Sequence, residues 1–247
     1  MISFYILLSI TMIEKRPFAK LSNGENLYFN EVKSIINGEL TIQKFFNGYN
    51  LATRTSIINH LISKFSLKKY LEIGVRKGDN FDKINVPFKR GVDPEPLYES
   101  KLLYKETSDS FFSRNKEKFD IIFIDGLHLE DQVTKDIYNS LNILSKNGFI
   151  LLHDCNPPSE FHQREEYEIN GTFPAWNGTV WKSYVKIHMT NPNLKLFCVN
   201  CDWGVGIIKR GSSNLYRKID NLNYNHLESD RKNILNLISV REFLELF

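Results

Sequence analysis

The sequence predicts an α/β fold in which a mostly parallel sheet carries helices on both faces. Short apolar runs at residues 70–75, 90–92, 121–124 and 149–152 read as strands buried on both sides. Between the last two, Val133, Ile137, Leu141 and Leu144 recur every three or four residues, which predicts a crossover helix and hence a right-handed βαβ unit. A length of 247 residues, 42% hydrophobic and 25% charged, suits one sizeable globular domain and excludes disordered and fibrous classes.

In chain order, residues 1–13 are apolar but shorter than the ~20 residues of a spanning helix, and they lack a basic start, so stable membrane insertion is not expected. Met12 offers a second start, which sets residues 1–11 apart. Residues 1–50 read as an N-terminal extension with a helical region, and residues 51–247 as the main domain. Ile57, Ile58, Leu61, Ile62 and Phe65 predict a helix over 51–66. The first strand follows Lys68-Lys69, turns through Gly78 and is expected to enter a helix. A short third strand is expected before Thr107, with Ser or Asp capping the next helix. Asn147-Gly148 is read as the stop of the crossover helix. Residues 180–189 look helical, and 194–199 with 205–209 form an antiparallel pair around Asn200 to Gly204. Residues 227–247 interleave charges with Ile234, Leu235, Leu237, Ile238, Phe243 and Leu244, which predicts one or two amphipathic helices.

The net charge of +3 is scattered and gives no support to nucleic-acid binding. Three cysteines without a secretion signal suit reduced thiols in a cytoplasmic protein. Cys198 and Cys201 have the spacing of a metal clip but no second pair, so packing is the better reading. The sequence permits a homo-oligomer without specifying one.

Several motifs can carry chemistry. The segment LEIGVRKGDN places Glu72 and Gly74 at a strand end and Gly78 and Asn80 in the turn beyond. Glycine lets backbone approach a ligand where a Cβ would collide. A dinucleotide fingerprint would put glycine at 74, 76 and 79, yet Arg76 and Asp79 stand there, so an NAD-linked oxidoreductase is the weaker reading. S-adenosylmethionine has no pyrophosphate to seat, and a Gly-x-x-x-Gly turn with a nearby carboxylate suffices for it. Asp93, about 20 residues past the turn, has the spacing of a ribose-binding acid, although an Asp capping a turn before Pro94 would read the same way. Ser108 and Asp109 follow the expected third strand, where an adenine ring or a plain helix cap would use them.

Asp125, with His128 beyond it, and His153-Asp154 end two adjacent strands, so these four side chains should converge at the carboxyl edge of the sheet. Asp125, Asp154 and His153 would suit Mg²⁺ or another divalent cation that lowers the pKa of an acceptor hydroxyl, with His128 removing the proton. The alternative is that Asp125 faces the cofactor, His153 is a satisfied buried histidine and no metal binds. The loop before residue 180 brings Trp176 and Trp181, which either stack on an acceptor ring or pack on the sheet.

Taken together, EIGVRKGDNF, GVDPEP, TSDSFF, FDIIFIDGLH, GFILLHDCNPP, NGTVWKSYVK and DWGVGIIK resemble the class I methyltransferases of methyltransferase family 24, over roughly residues 51–247. The resemblance implies a Rossmann-like, seven-stranded, mostly parallel sheet with an antiparallel C-terminal strand. It also implies S-adenosylmethionine held by Glu72, Gly74, Asp93, Ser108, Asp109 and Asp125. The family's association with sugar, surface-polysaccharide and natural-product methylation suggests O-methylation of a saccharide or small-molecule hydroxyl. Metal-dependent relatives carry Asp-Asn or Asp-Asp after the fifth strand, where this chain has Asp154-Cys155-Asn156. A binding module of glycan biosynthesis that keeps the fold without turnover is the alternative from another class.

Overall fold

The computed structural model describes residues 17–20, 26–28 and 52–247. The chain divides into two compact units, Met1–Ala52 and Thr53–Phe247. In the first, β1 (Pro17–Lys20) pairs antiparallel with β2 (Asn26–Tyr28). The apolar opening and the helical reading of the extension lie outside the described residues.

The second unit opens with α1 (Arg54–Phe65), which starts at Arg54 because Thr53 caps it in a reciprocal box with Ser56. The helix ends where Ser66 turns left-handed (φ 52°). Its apolar stripe buries Ile57, Ile58, Leu61 and Ile62, while Phe65 stays half exposed against Phe149 at 5.0 Å.

There follow β3 (Lys69–Ile73), β4 (Phe88–Val92), β5 (Leu103–Tyr104), α2 (Ser108–Arg114), β6 (Phe119–Ile124), α3 (Glu130–Ile143) and β7 (Leu144–Leu152). The chain closes with α4 (Val180–Thr190), β8 (Leu194–Val199), β9 (Val205–Arg210), α5 (Tyr224–Ile234), β10 (Leu237–Ile238) and α6 (Val240–Leu246). The sheet order is β10-β8-β9-β7-β6-β3-β4-β5. All contacts from β5 across to β7 are parallel, and β9 runs antiparallel to both β7 and β8. Strand order reverses between β3 and β6, and a crevice at such a switch point is where open α/β sheets bind ligands. Ile121, Ile122, Ile150, Leu151 and Leu152 are wholly buried. Each such side chain contributes about 1.5–3 kcal/mol of burial free energy.

Four local expectations are corrected. The sheet has eight strands, not seven, because Leu237-Ile238 pair with Cys198-Val199 at the edge, inside a stretch read as helical. Asn236, left-handed at φ 45°, breaks the helix there, and Asn200 N–H donates to Ile238 O at 2.8 Å. Beyond Gly78 the chain makes only a single 3₁₀ turn, Phe81–Lys83, since it must re-enter the sheet at Phe88. The crossover helix stops at Ile143, and β7 runs on through Asn147-Gly148. The cap of α2 is Thr107, whose side chain accepts from Ser110 N–H.

Candidate active site

At the carboxyl end of β3, Gly74 lies at φ 86° and donates to Val92 O, while Asp125 N–H donates to Ile73 O, both at 2.8 Å. A Cβ on Gly74 would stand 2.1 Å from Asp125 O and 2.4 Å from Gly126 Cα. The glycine is thus required by the protein's own backbone, where the ends of β3 and β6 press together. Arg76 N–H and Glu95 N–H donate to the two oxygens of Asp93 at 2.7 and 2.8 Å, which fixes the carboxylate and leaves it lone pairs for further donors.

Beneath this turn, Glu72 is buried and accepts from the Tyr70 hydroxyl and from Asn80 Nδ2 at 2.9 Å. Thr55 in turn donates to Asn80 Oδ1 at 2.7 Å, which fixes the amide's orientation. Burial pushes the Glu72 carboxyl up to about 8, against the pull of its Tyr70 and Asn80 hydrogen bonds. A buried acid held by neutral donors is chemically suited to a cationic ligand group, and the amino-acid end of S-adenosylmethionine carries one. Where α2 meets α3, Gln132 Nε2 lies 3.1 Å from both Ser108 Oγ and Asp109 Oδ1 and 3.2 Å from Asp136 Oδ1. One amide faces three acceptors there.

The four residues expected to converge do so. Asp125 Oδ1 lies 3.2 Å from His128 Nε2 and 3.4 Å from His153 Nδ1. Asp154 Oδ2 lies 2.8 Å from His153 Nδ1 and 3.2 Å from His128 Nδ1. That last pair lacks hydrogen-bond alignment, so His128 Nδ1 is buried without a hydrogen-bond partner. Asp154 adopts φ 60°, which aims its carboxylate back across the sheet edge, and Asn177 Nδ2 donates to its other oxygen at 2.5 Å. Asp125, His128 and Asp154 each offer a ligand atom within 4.8 Å of the others, a donor set of two carboxylates and one imidazole. His153 sits behind that trio. Burial alone would lower its pKa, but Asp125 and Asp154 hold it well above the usual histidine range. Burial would likewise raise Asp125, yet His153 and His128 hold it well below the usual carboxylate range.

The loop before α4 brings Trp176 to this cluster and Trp181 away from it. Trp176 stacks on His128 with centroids 4.9 Å apart and planes 15° apart, and its Nε1 donates to Arg164 O at 2.7 Å. Trp181 is fully buried, with Nε1 3.2 Å from Gln163 Oε1, so in this structure it packs in the core and presents no face to an acceptor. Cys155, Cys198 and Cys201 are free and buried.

Two residues at the site were missed from the sequence. Arg54, the first residue of α1, donates from Nη1 to Asp125 Oδ2 at 2.7 Å and from Nε to Asp202 Oδ2 at 3.0 Å. Asp202, in the turn between β8 and β9, also lies 3.4 Å from His153 Nε2. The available signal was an arginine at a helix start beside a Thr cap, and an acid in a turn before Trp203-Gly204, neither of which points to the other.

Residues 90–155 match a family model described as a methyltransferase domain. No protein among the curated sequences matches the chain. Among solved structures, an S-adenosylhomocysteine-bound methyltransferase from Podospora anserina is similar at 16% identity with a TM-score of 0.50, over 76% of this chain and 100% of that one. Cofactor-bound Rv0187 from MTB is similar at 9% identity with a TM-score of 0.51, over 74% of this chain and 97% of that one. The family match runs from β4 to the turn after β7, and the sheet order around it is the Rossmann-like fold of these solved structures.

Proposed function

We propose that the protein transfers a methyl group from S-adenosylmethionine to a hydroxyl oxygen of a small molecule or saccharide. The observation that carries this reading is the gathering of Asp125, His128 and Asp154 at the strand ends beside the buried acid Glu72. Bound S-adenosylmethionine supplies an electrophilic methyl group on a sulfonium. Glu72 and Asn80 would hold its cationic amino-acid portion, Asp93 its ribose hydroxyls, and Ser108 and Asp109 its adenine. Gly74 and Gly78 shape the turn between them.

His128 is the base in this reading. Its Nε2 faces Asp125 Oδ1 and its Nδ1 faces Asp154 Oδ2, both at 3.2 Å, so a neutral ring leaves one nitrogen lone pair opposite a carboxylate, an arrangement that favours taking up a proton or a cation. A proton gained by the ring would be stabilised by the Asp125 and Asp154 carboxylates, each 3.2 Å from a ring nitrogen, while Trp176 holds the ring plane. His153 lies behind both carboxylates, which hold its pKa well above the usual histidine range. Orientation of the acceptor against the donor accounts for most of the acceleration.

A second reading is favoured by the same trio. A divalent cation held by Asp125, His128 and Asp154 would fit the donor set and polarise the acceptor hydroxyl. The three free thiols support a reducing, cytoplasmic setting. Calorimetry with S-adenosylmethionine and S-adenosylhomocysteine tests the main reading, and binding of neither overturns it. Titration of metal-stripped protein with Mg²⁺ and Mn²⁺ separates the two versions: heat that disappears in Asp154→Asn supports the cation, and no heat leaves His128 as the base.

A further inference from the structure

We infer that the amino edge of the sheet, where Lys195 and Lys209 face each other beside the exposed Phe65, docks on the surface of an anionic lipid bilayer. This edge lies at the opposite end of the strands from the candidate active site. Lys195 and Lys209 are directly opposed in the antiparallel pair of β8 and β9. Like charges in that register weaken a sheet. A neighbouring acid would remove the cost, yet among the described residues neither lysine has a carboxylate partner. Lys209 is held by aromatic rings instead, with Nζ 5.0, 5.5 and 5.8 Å from the centroids of Phe149, Phe247 and Phe65. Rings hold a cation without neutralising it, so the charge of the lysine pair stays available to an anion from outside. Burial and then the charge of Lys195 lower the Lys209 pKa, as a locally positive field does.

More cations at this end lack counter-charges. Lys64, in the last turn of α1, and Lys68, just before β3, are both exposed. The acids nearby are already engaged. Asp120 accepts from the amides of Lys68 and Lys69 and from the Ser145 hydroxyl, and Glu245 in α6 pairs with Arg241 at 3.0 Å. Among these charges Phe65 is 42% exposed and Leu246 56%. Phe247, next to Leu246, lies 6.5 Å from Phe65 ring to ring, so the two exposed side chains flank one aromatic cluster. Apolar tips standing among lysines fit a lipid interface, where ammonium groups meet headgroup phosphates and the tips enter the acyl boundary. A nucleic acid or soluble polyanion would use the lysines but leave Phe65 and Leu246 without a role. No helix among the described residues is long and apolar enough to cross a membrane, so the contact of this unit is superficial. The candidate active site then faces away from the bilayer.

The full chain is sedimented with vesicles of phosphatidylcholine alone and of phosphatidylcholine with about one third phosphatidylglycerol, at low and at high salt. Any affinity of the apolar residues 1–13 for the acyl region falls on both vesicles and cancels in the ratio. The wild type is expected to prefer the anionic vesicles at least about ten-fold at low salt and to lose most of that preference at high salt. Lys195→Gln and Lys209→Gln are each expected to lower the preference about five-fold, the loss from one lysine near an anionic surface. Lys77→Gln, exposed at the opposite edge, should leave it unchanged. Phe65→Ser should weaken binding to anionic vesicles several-fold at both salt concentrations. Lys195→Gln should also unfold at no lower temperature than the wild type, since it removes a repulsion; a large fall in its melting temperature, marking a structural role, overturns the inference. Equal binding to both kinds of vesicle overturns it, as does a Lys77→Gln effect as large as that of Lys195→Gln. Duplex DNA that displaces the vesicles, with Phe65→Ser behaving as wild type, overturns it in favour of a general polyanion surface. If Lys209→Gln does not fold, Lys64→Gln combined with Lys195→Gln carries the test, and wild-type preference in that double variant overturns the inference.

Discussion

Gly74→Ala is expected to be among the most damaging single-methyl additions in this protein. Two costs combine at that position. The backbone sits at φ 86°, where an L side chain costs about 1–2 kcal/mol. The new methyl would also lie 2.1 Å from Asp125 O and 2.4 Å from both Asp125 C and Gly126 Cα, all backbone atoms that cannot rotate aside. Separating the ends of β3 and β6 costs about 1–3 kcal/mol more, as overpacking does elsewhere. The sum of about 2–5 kcal/mol corresponds to a fall in Tm of about 4–20 °C for a domain of this size. Two other glycines separate the contributions. Gly171 is at φ 75° with nothing within 4 Å of a built Cβ, so Gly171→Ala carries the conformational cost alone. At Gly126 the nearest atom is Ile73 Cγ2 at 3.5 Å, an ordinary contact, so Gly126→Ala should be close to neutral. Thermal and urea unfolding followed by circular dichroism should order the midpoints Gly126→Ala above Gly171→Ala above Gly74→Ala. S-adenosylhomocysteine affinity should fall in Gly74→Ala because Asp125 is displaced. A Gly74→Ala midpoint equal to that of Gly171→Ala would refute the claim that the two strand ends are in forced contact.

Glu72 makes the unliganded protein sensitive to alkali. Its folded pKa of about 8 lies above its ordinary value of 4.5, so the folded state binds the extra proton between them. The associated stability is full below about pH 4.5 and is lost as pH rises through 8, a change of a few kcal/mol. Glu72→Gln, which imitates the protonated acid, should match the wild type near pH 5 and melt higher at pH 9, and equal pH slopes for the two proteins would count against the burial argument. Trp181→Ala should cost about 3–5 kcal/mol in urea unfolding, as removal of a fully buried tryptophan does, and a loss under 1 kcal/mol would put Trp181 outside the core. Cys155, Cys198 and Cys201 are buried with thiols pushed up by burial, so a disulfide reagent should modify none of them in the native protein and all three in urea; fast native labelling would contradict this.

The parts of the fold legible in the sequence are those whose environment is uniform along the chain. Residues 121–124 and 149–152 are apolar without alternation because β6 and β7 are covered on both faces. An acid that follows such a run can lie only at the carboxyl edge, which is why Asp125, His128, His153 and Asp154 could be placed together from the sequence. β10 was illegible because two residues carry no period, and its pairing is set by β8, about 40 positions earlier. Trp181 carried a signal that could have separated it from Trp176. It repeats with Tyr184, Val185 and His188 at helical spacing, and all four are buried, whereas Trp176 lies in the loop before the helix begins.

Arg54 and Asp202 are the harder case, and the reason is physical. Their contact spans 148 residues, and each has a sufficient local explanation, one as a helix-start residue and the other as a turn residue. Only the sheet order makes them neighbours, because α1 and the β8–β9 turn both open toward the carboxyl edge where β6 and β7 end. What distinguishes Asp202 from an ordinary turn acid is the left-handed backbone at two successive non-glycine positions, and that conformation is invisible in residue identity. Strain of this kind persists where surrounding contacts over-determine it, and here the contacts are the Arg54 fork and the two amides that follow Asp154. The site's four strand-end residues could therefore be read one at a time, while the cation that orders them could be found only through the fold.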